Sequence, residues 1–129
     1  MDYHQFVKDV QEQAGCQEKD EALKAIQATL QTLGERLFDG EAEELAAQLP
    51  RELQQYLKEP ENRSNFQVEE FLQRVGRREG TTPQIAEKHA KGVIAVLCRA
   101  VSQGEIEDVL SQLPESYWKL FGKESRMVH

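Results

Sequence analysis

The side chains of this sequence with chemistry to offer are its carboxylates, three histidines and two cysteines, and their spacing limits what each can do. Glu41, Glu43 and Glu44 form one acidic cluster and Glu105, Glu107 and Asp108 a second. Such groups can hold a cation or transfer protons. Each cluster follows a turn glycine, Gly40 or Gly104, and so falls in the first turn of a helix. There the positive end of the helix stabilises an acidic group by about 0.3–1 kcal/mol. Helix chemistry alone therefore accounts for both clusters, and a structural role is predicted for them. Gln48 and Gln112, each two residues before a proline, are read as closing a local turn hydrogen bond.

His4, His89 and His129 lie far apart, and no pair has the i, i+4 spacing that puts two imidazoles on one helical face. Cys16 and Cys98 form no metal-type or redox-type motif with each other or with a nearby histidine, so both are read as reduced thiols, Cys98 as a buried and inert one. No metal, cofactor or catalytic residue is expected. An enzyme would have to assemble its site from distant carboxylates, because no nucleophile, base and orienting group are brought together by spacing.

Charge gives a different set of candidates. The chain carries a net charge of −7, which opposes broad contact with phosphate. Residues 62–103 nevertheless hold seven basic and four acidic groups, a local +3, leaving −10 for the remainder. Arg74, Arg77, Arg78, Lys88 and Lys91, with His89 among them, are the binding candidates. They suit an acidic partner or, as an alternative, a nucleic acid or phosphate ligand taken by the stretch 74–99.

The elements that position these groups emerge from comparing the chain with itself. The stretch Gly40–Pro50 aligns with Gly104–Pro114 at an offset of 64 residues, repeating its glycine, its first two glutamates, and Gln-Leu-Pro. Ile26, Leu30, Leu33 and Leu37 fall opposite Ala90, Ile94, Leu97 and Val101, while Phe6, Val7 and Val10 match Phe71, Leu72 and Val75 at an offset of 65. His89 stands where the first copy has Ala25, and Cys98 where it has Gly34. Features present in one copy only are the better functional candidates, because the shared fold does not require them.

Each copy reads as four helices. Tyr3, Phe6, Val7, Val10 and Ala14 recur at helical spacing, and a longer stripe follows at Leu23, Ile26, Leu30, Leu33 and Leu37, ending at Asp39-Gly40. Glu41 to Ala47 makes a short helix, and Pro50 opens another that presents Leu49, Leu53, Tyr56 and Leu57 to the core. Ser64 with Gln67 resembles a capping box and starts the second round. Thr82-Pro83 then begins a long helix with Ile85, Val93, Ile94, Val96, Leu97 and Val101 on its apolar face, stopped by Gly104. Pro114 opens a last helix through Tyr117, Trp118, Leu120 and Phe121.

The doubled pattern Gly-Glu-x-Glu-[Glu/Asp]-[Leu/Val]-x-x-Gln-Leu-Pro, placed after a long helix, resembles the bacterial family called Domain of Unknown Function 2267, from about Phe6 to Phe121. The resemblance implies a helical prokaryotic protein and brings no activity or site residue with it.

With 39% hydrophobic and 30% charged residues, 129 residues suit one globular domain. The expectation is an all-α helical bundle over 1–129, built as a pseudo-two-fold pair of four-helix repeats at 3–58 and 66–122, with a loose tail at 123–129. No apolar run approaches the roughly 20 residues that span a bilayer, and the first residues are too polar for a secretory signal, so the cytoplasm is the default compartment. By elimination the sequence predicts a non-enzymatic protein-interaction module that binds another protein or a second copy of itself, with nucleic acid disfavoured and no membrane partner.

Overall fold

The computed structural model describes residues 1–123; His129 and the predicted tail beyond Lys123 lie outside them. The order of elements is α1 (Tyr3–Gln13), α2 (Lys19–Arg36), α3 (Glu41–Ala47), α4 (Arg51–Lys58), α5 (Val68–Glu79), α6 (Pro83–Ala100), α7 (Gln103–Ser111) and a 3-10 helix, Glu115–Phe121. No strand occurs among the described residues.

Side-chain caps explain three of the starts. Asp2 accepts a hydrogen bond from the Gln5 N–H at 2.8 Å and opens α1. Thr82 does the same for Ile85 at 3.2 Å and is followed by Pro83, whose missing N–H costs nothing in a first turn.

Several predicted boundaries move. Gly40 adopts the left-handed conformation, but it precedes α3; α2 has already ended at Arg36, where Leu37 turns extended. Gly104 stops nothing. Extended Val101 ends α6, and Ser102 caps α7 by accepting from the Glu105 N–H at 3.2 Å, which leaves Gly104 inside the new helix. Ser64 caps nothing either: its N–H donates to the Glu35 carbonyl at 2.9 Å, and α5 starts after Gln67. The last helix is a 3-10 turn series rather than an α-helix. Ile85, predicted for the core face, is 46% exposed.

One continuous set of buried apolar residues runs from Phe6 to Phe121. Helices α2 and α6 pack on each other, and both α5 and α1 lie against the two of them. Glycine permits the closest approaches. A Cβ at Gly34 would strike the Leu57 carbonyl of α4, and one at Gly92 would sit 2.6 Å from the Cα and Cβ of Ala14, at the end of α1.

The two glutamines reach further than a local turn. Gln112 brackets the backbone of Phe38, accepting from its N–H at 2.8 Å and donating to its carbonyl at 3.0 Å. Gln48 accepts from the Ser102 N–H at 2.7 Å. The predicted turn bond is thus replaced by bonds to the chain just beyond the other long helix. Nearby, buried Arg36 donates to the Phe66 carbonyl at 2.8 Å and lies 5.4 Å from the centre of the Tyr117 ring, whose hydroxyl donates to the same carbonyl at 2.6 Å.

Candidate metal centre

Three helix ends, those of α1, α2 and α5, converge on one face of α6. Helix α1 stops at Gly15, whose φ of +69° belongs to the left-handed region that glycine enters without strain. The turn folds the chain back, and the Cys16 N–H donates to the Gln11 carbonyl at 2.9 Å. Because Gly92 lets Ala14 rest directly on α6, Cys16 arrives beside His89, one turn before Gly92 on the same helical face. Glu21 enters from the first turn of α2. Glu79 is the last residue of α5, aimed by the left-handed Gly80 that follows.

The Cys16 sulfur, a Glu21 carboxylate oxygen and a His89 ring nitrogen lie within 4.8 Å of one another. His89 is buried and touches a carboxylate at each nitrogen: Nδ1 is 2.8 Å from Glu79 Oε2, and Nε2 is 3.1 Å from Glu21 Oε2. The Glu79 side chain is only 4% exposed, and its other oxygen, Oε1, has no hydrogen-bond partner among the described residues. Glu21, by contrast, is partly in solvent and also accepts from the Gln17 N–H at 3.3 Å. A cleft of about 430 Å³ leads to the imidazole, lined by Glu18, Asp20, Glu21, Lys24, Glu79, Thr81, Ile85 and His89.

Electrostatics separate two chemistries for this set. Burial, followed by the charges of Glu21 and Glu79, pushes the Cys16 thiol up to about 11, against the opposing charge of Lys88. A nucleophilic cysteine needs its thiolate stabilised, so Cys16 and His89 do not form an activated pair. Burial also raises Glu79, and its hydrogen bond to His89 offsets part of that rise.

The donors themselves suit a metal. Thiolate, imidazole and carboxylate are the ligands of zinc, and three protein ligands leave a fourth position open. Bonds of about 2.0–2.3 Å place neighbouring ligands roughly 3.5 Å apart, so the set would close by little more than about an ångström. Glu79 stands behind His89 as the carboxylate that fixes a ligating imidazole.

The other sequence candidates go elsewhere. Arg74 and Arg78 both reach Glu35, at 3.2 and 2.8 Å, and Arg74 also pairs with Glu70; Arg77 joins these arginines and Glu35 in the lining of a separate cleft. Burial would raise the Glu35 carboxyl, but Arg78 and then Arg74 hold it below the usual range. Lys88 lies by Gly15 and Cys16, and Lys91 pairs with Glu87 at 3.6 Å. His89 is thus the one candidate that joins the centre. Spacing missed Cys16, Glu21 and Glu79 because they stand at the ends of three different helices, and only the packing of those helices on α6 brings them to His89.

Comparison with curated proteins finds no match. A family model does match, over residues 3–120, and with nearly the whole chain covered the protein belongs to the family described as Uncharacterized conserved protein (DUF2267).

Proposed function

We propose that this chain is a metal-binding helical protein that holds one zinc-class ion through Cys16, Glu21 and His89. One observation carries the reading: buried Glu79 holds His89 Nδ1 while Nε2 faces the Glu21 carboxylate, and the Cys16 sulfur lies within 4.8 Å of the imidazole and of Glu21. With Nδ1–H given to Glu79, Nε2 is left for a proton shared with Glu21 or for a metal. Binding would displace that proton and the one on Cys16, so affinity should rise with pH.

Cobalt(II) titration of the full chain tests this. One equivalent should bind with a thiolate-to-metal absorption band, and Cys16→Ser should abolish that band. Glu79→Gln should weaken binding by about 10–100-fold while leaving the band in place. Cobalt or zinc binding no tighter than that of the Cys16→Ser/His89→Ala double variant would refute the proposal.

A second reading, a protein-interaction module, is favoured by Ile85, a large apolar side chain standing 46% exposed in the lining of the same acidic cleft. A basic, apolar-tipped segment of a partner would suit that rim. Light scattering and capture of partners with wild type and Ile85→Glu test it: loss of an associated protein in the variant supports the reading, and a monomer retaining nothing opposes it.

A further inference from the structure

The two acidic clusters do not stay apart. Helices α3 and α7 meet, and carboxylate oxygens of Glu41, Glu44, Glu105 and Asp108 come within 4.8 Å of one another. The four occupy equivalent places in the two copies, since Glu105 and Asp108 follow Glu41 and Glu44 at the offset of 64 residues. Glu43 and Glu107 are not in the group, and Glu43 instead meets Arg63 at 3.3 Å.

Helix-end chemistry explains why an acidic residue stands in each first turn. It does not explain why four converge. Glu41 is 8% exposed and Glu105 7%, and one oxygen of each, Oε2, is fully buried with no hydrogen-bond partner among the described residues. Buried polar atoms are nearly always paired, so two orphaned oxygens inside one cluster call for a partner, and a cation would serve both. The strongest charges acting on Glu105 come from Glu41, Glu44 and Asp108, all acidic. A single shared proton would quiet one carboxylate and leave three. Glu44 and Asp108, both exposed, give the cluster an open side through which an ion can enter.

We propose that Glu41, Glu44, Glu105 and Asp108 bind a hard divalent cation at the junction of α3 and α7. An all-oxygen, all-anionic ligand set selects calcium, magnesium or manganese over the softer metals that thiolate and imidazole favour. Carboxylates can each contribute one or two oxygens, and water can complete the shell from the exposed side. The site is independent of Cys16 and His89 in residues and in donor chemistry, so either can fail while the other stands.

Calorimetric titration of the chelator-treated full chain with calcium, and separately with magnesium and manganese, at about pH 8.5 tests the proposal. One ion per chain should bind and raise the melting temperature. Changing an outer-shell partner alone costs about 10–100-fold in metal affinity, so removing two direct ligands should cost at least about a hundredfold. The Glu41→Gln/Glu105→Gln variant should therefore lose the response. Glu44→Gln/Asp108→Asn, altered only at exposed positions, should fold normally and also lose it, while Cys16→Ser should keep it. No saturable binding of any of the three ions by wild type would overturn the proposal, as would binding that survives in Glu44→Gln/Asp108→Asn.

Discussion

Glu105 shows how neighbours set the behaviour of one residue. Burial, the close Glu41 carboxyl and the charges of Glu41, Glu44 and Asp108 push it from an ordinary value of 4.5 up to about 8. Between those values the folded protein keeps a proton that the unfolded chain has released. Stability from this group is therefore complete below about 4.5 and is lost as pH rises through about 8. With divalent ions chelated, the melting temperature of wild type should fall from about pH 5 to about pH 9 more steeply than that of Glu105→Gln. Parallel melting curves for the two proteins would contradict this. Glu35 works in the opposite sense: held low by Arg78 and Arg74, it adds stability at neutral pH that disappears on acidification.

At the scale of elements, close helix approach decides where the candidate metal centre can form. Gly92→Ala should destabilise the protein, since crowding a packed interface costs about 1–3 kcal/mol and the gain in helix propensity returns only about 1. Equilibrium denaturation measures the loss. Because the same contact seats Ala14, cobalt affinity should fall with it; a variant as stable and as tight-binding as wild type would count against this account. The helices were legible in the sequence because 3.6-residue periodicity at Phe6, Val7 and Val10, or at Val93, Ile94 and Leu97, is a property of each segment alone. Helix ends were less legible. Gly40 and Gly104 each signal a turn, but a glycine cannot say whether it closes one helix or admits the next, and an extended residue such as Leu37 or Val101 carries no signal for the end it makes. The meeting of Cys16, Glu21, Glu79 and His89 was not legible at all. It depends on which helix lies across which, and a side chain's neighbours across an interface leave no periodic trace.

At the scale of the molecule, α2 and α6 draw on partners from the whole chain: α2 is covered by α1, α4, α5 and α6, and α6 by α1, α2, α5 and the 3-10 helix. A piece comprising residues 1–58 would expose the α2 surface that α5 and α6 cover. A unit of that size also buries only about 60% of its unfolded surface at best. It should therefore show no cooperative thermal transition where the full chain shows one; calorimetry giving a sharp transition for the fragment would refute this. The glutamine brackets carry this dependence into time. Phe38 leaves the ribosome long before Gln112, and at about 5–20 residues per second the backbone that Gln112 closes stays exposed to water for roughly 4–15 s. During that interval the nascent first half holds α2 without its final cover. Apolar surface left open in this way is what chaperones and proteases act on, and the folded chain has closed it.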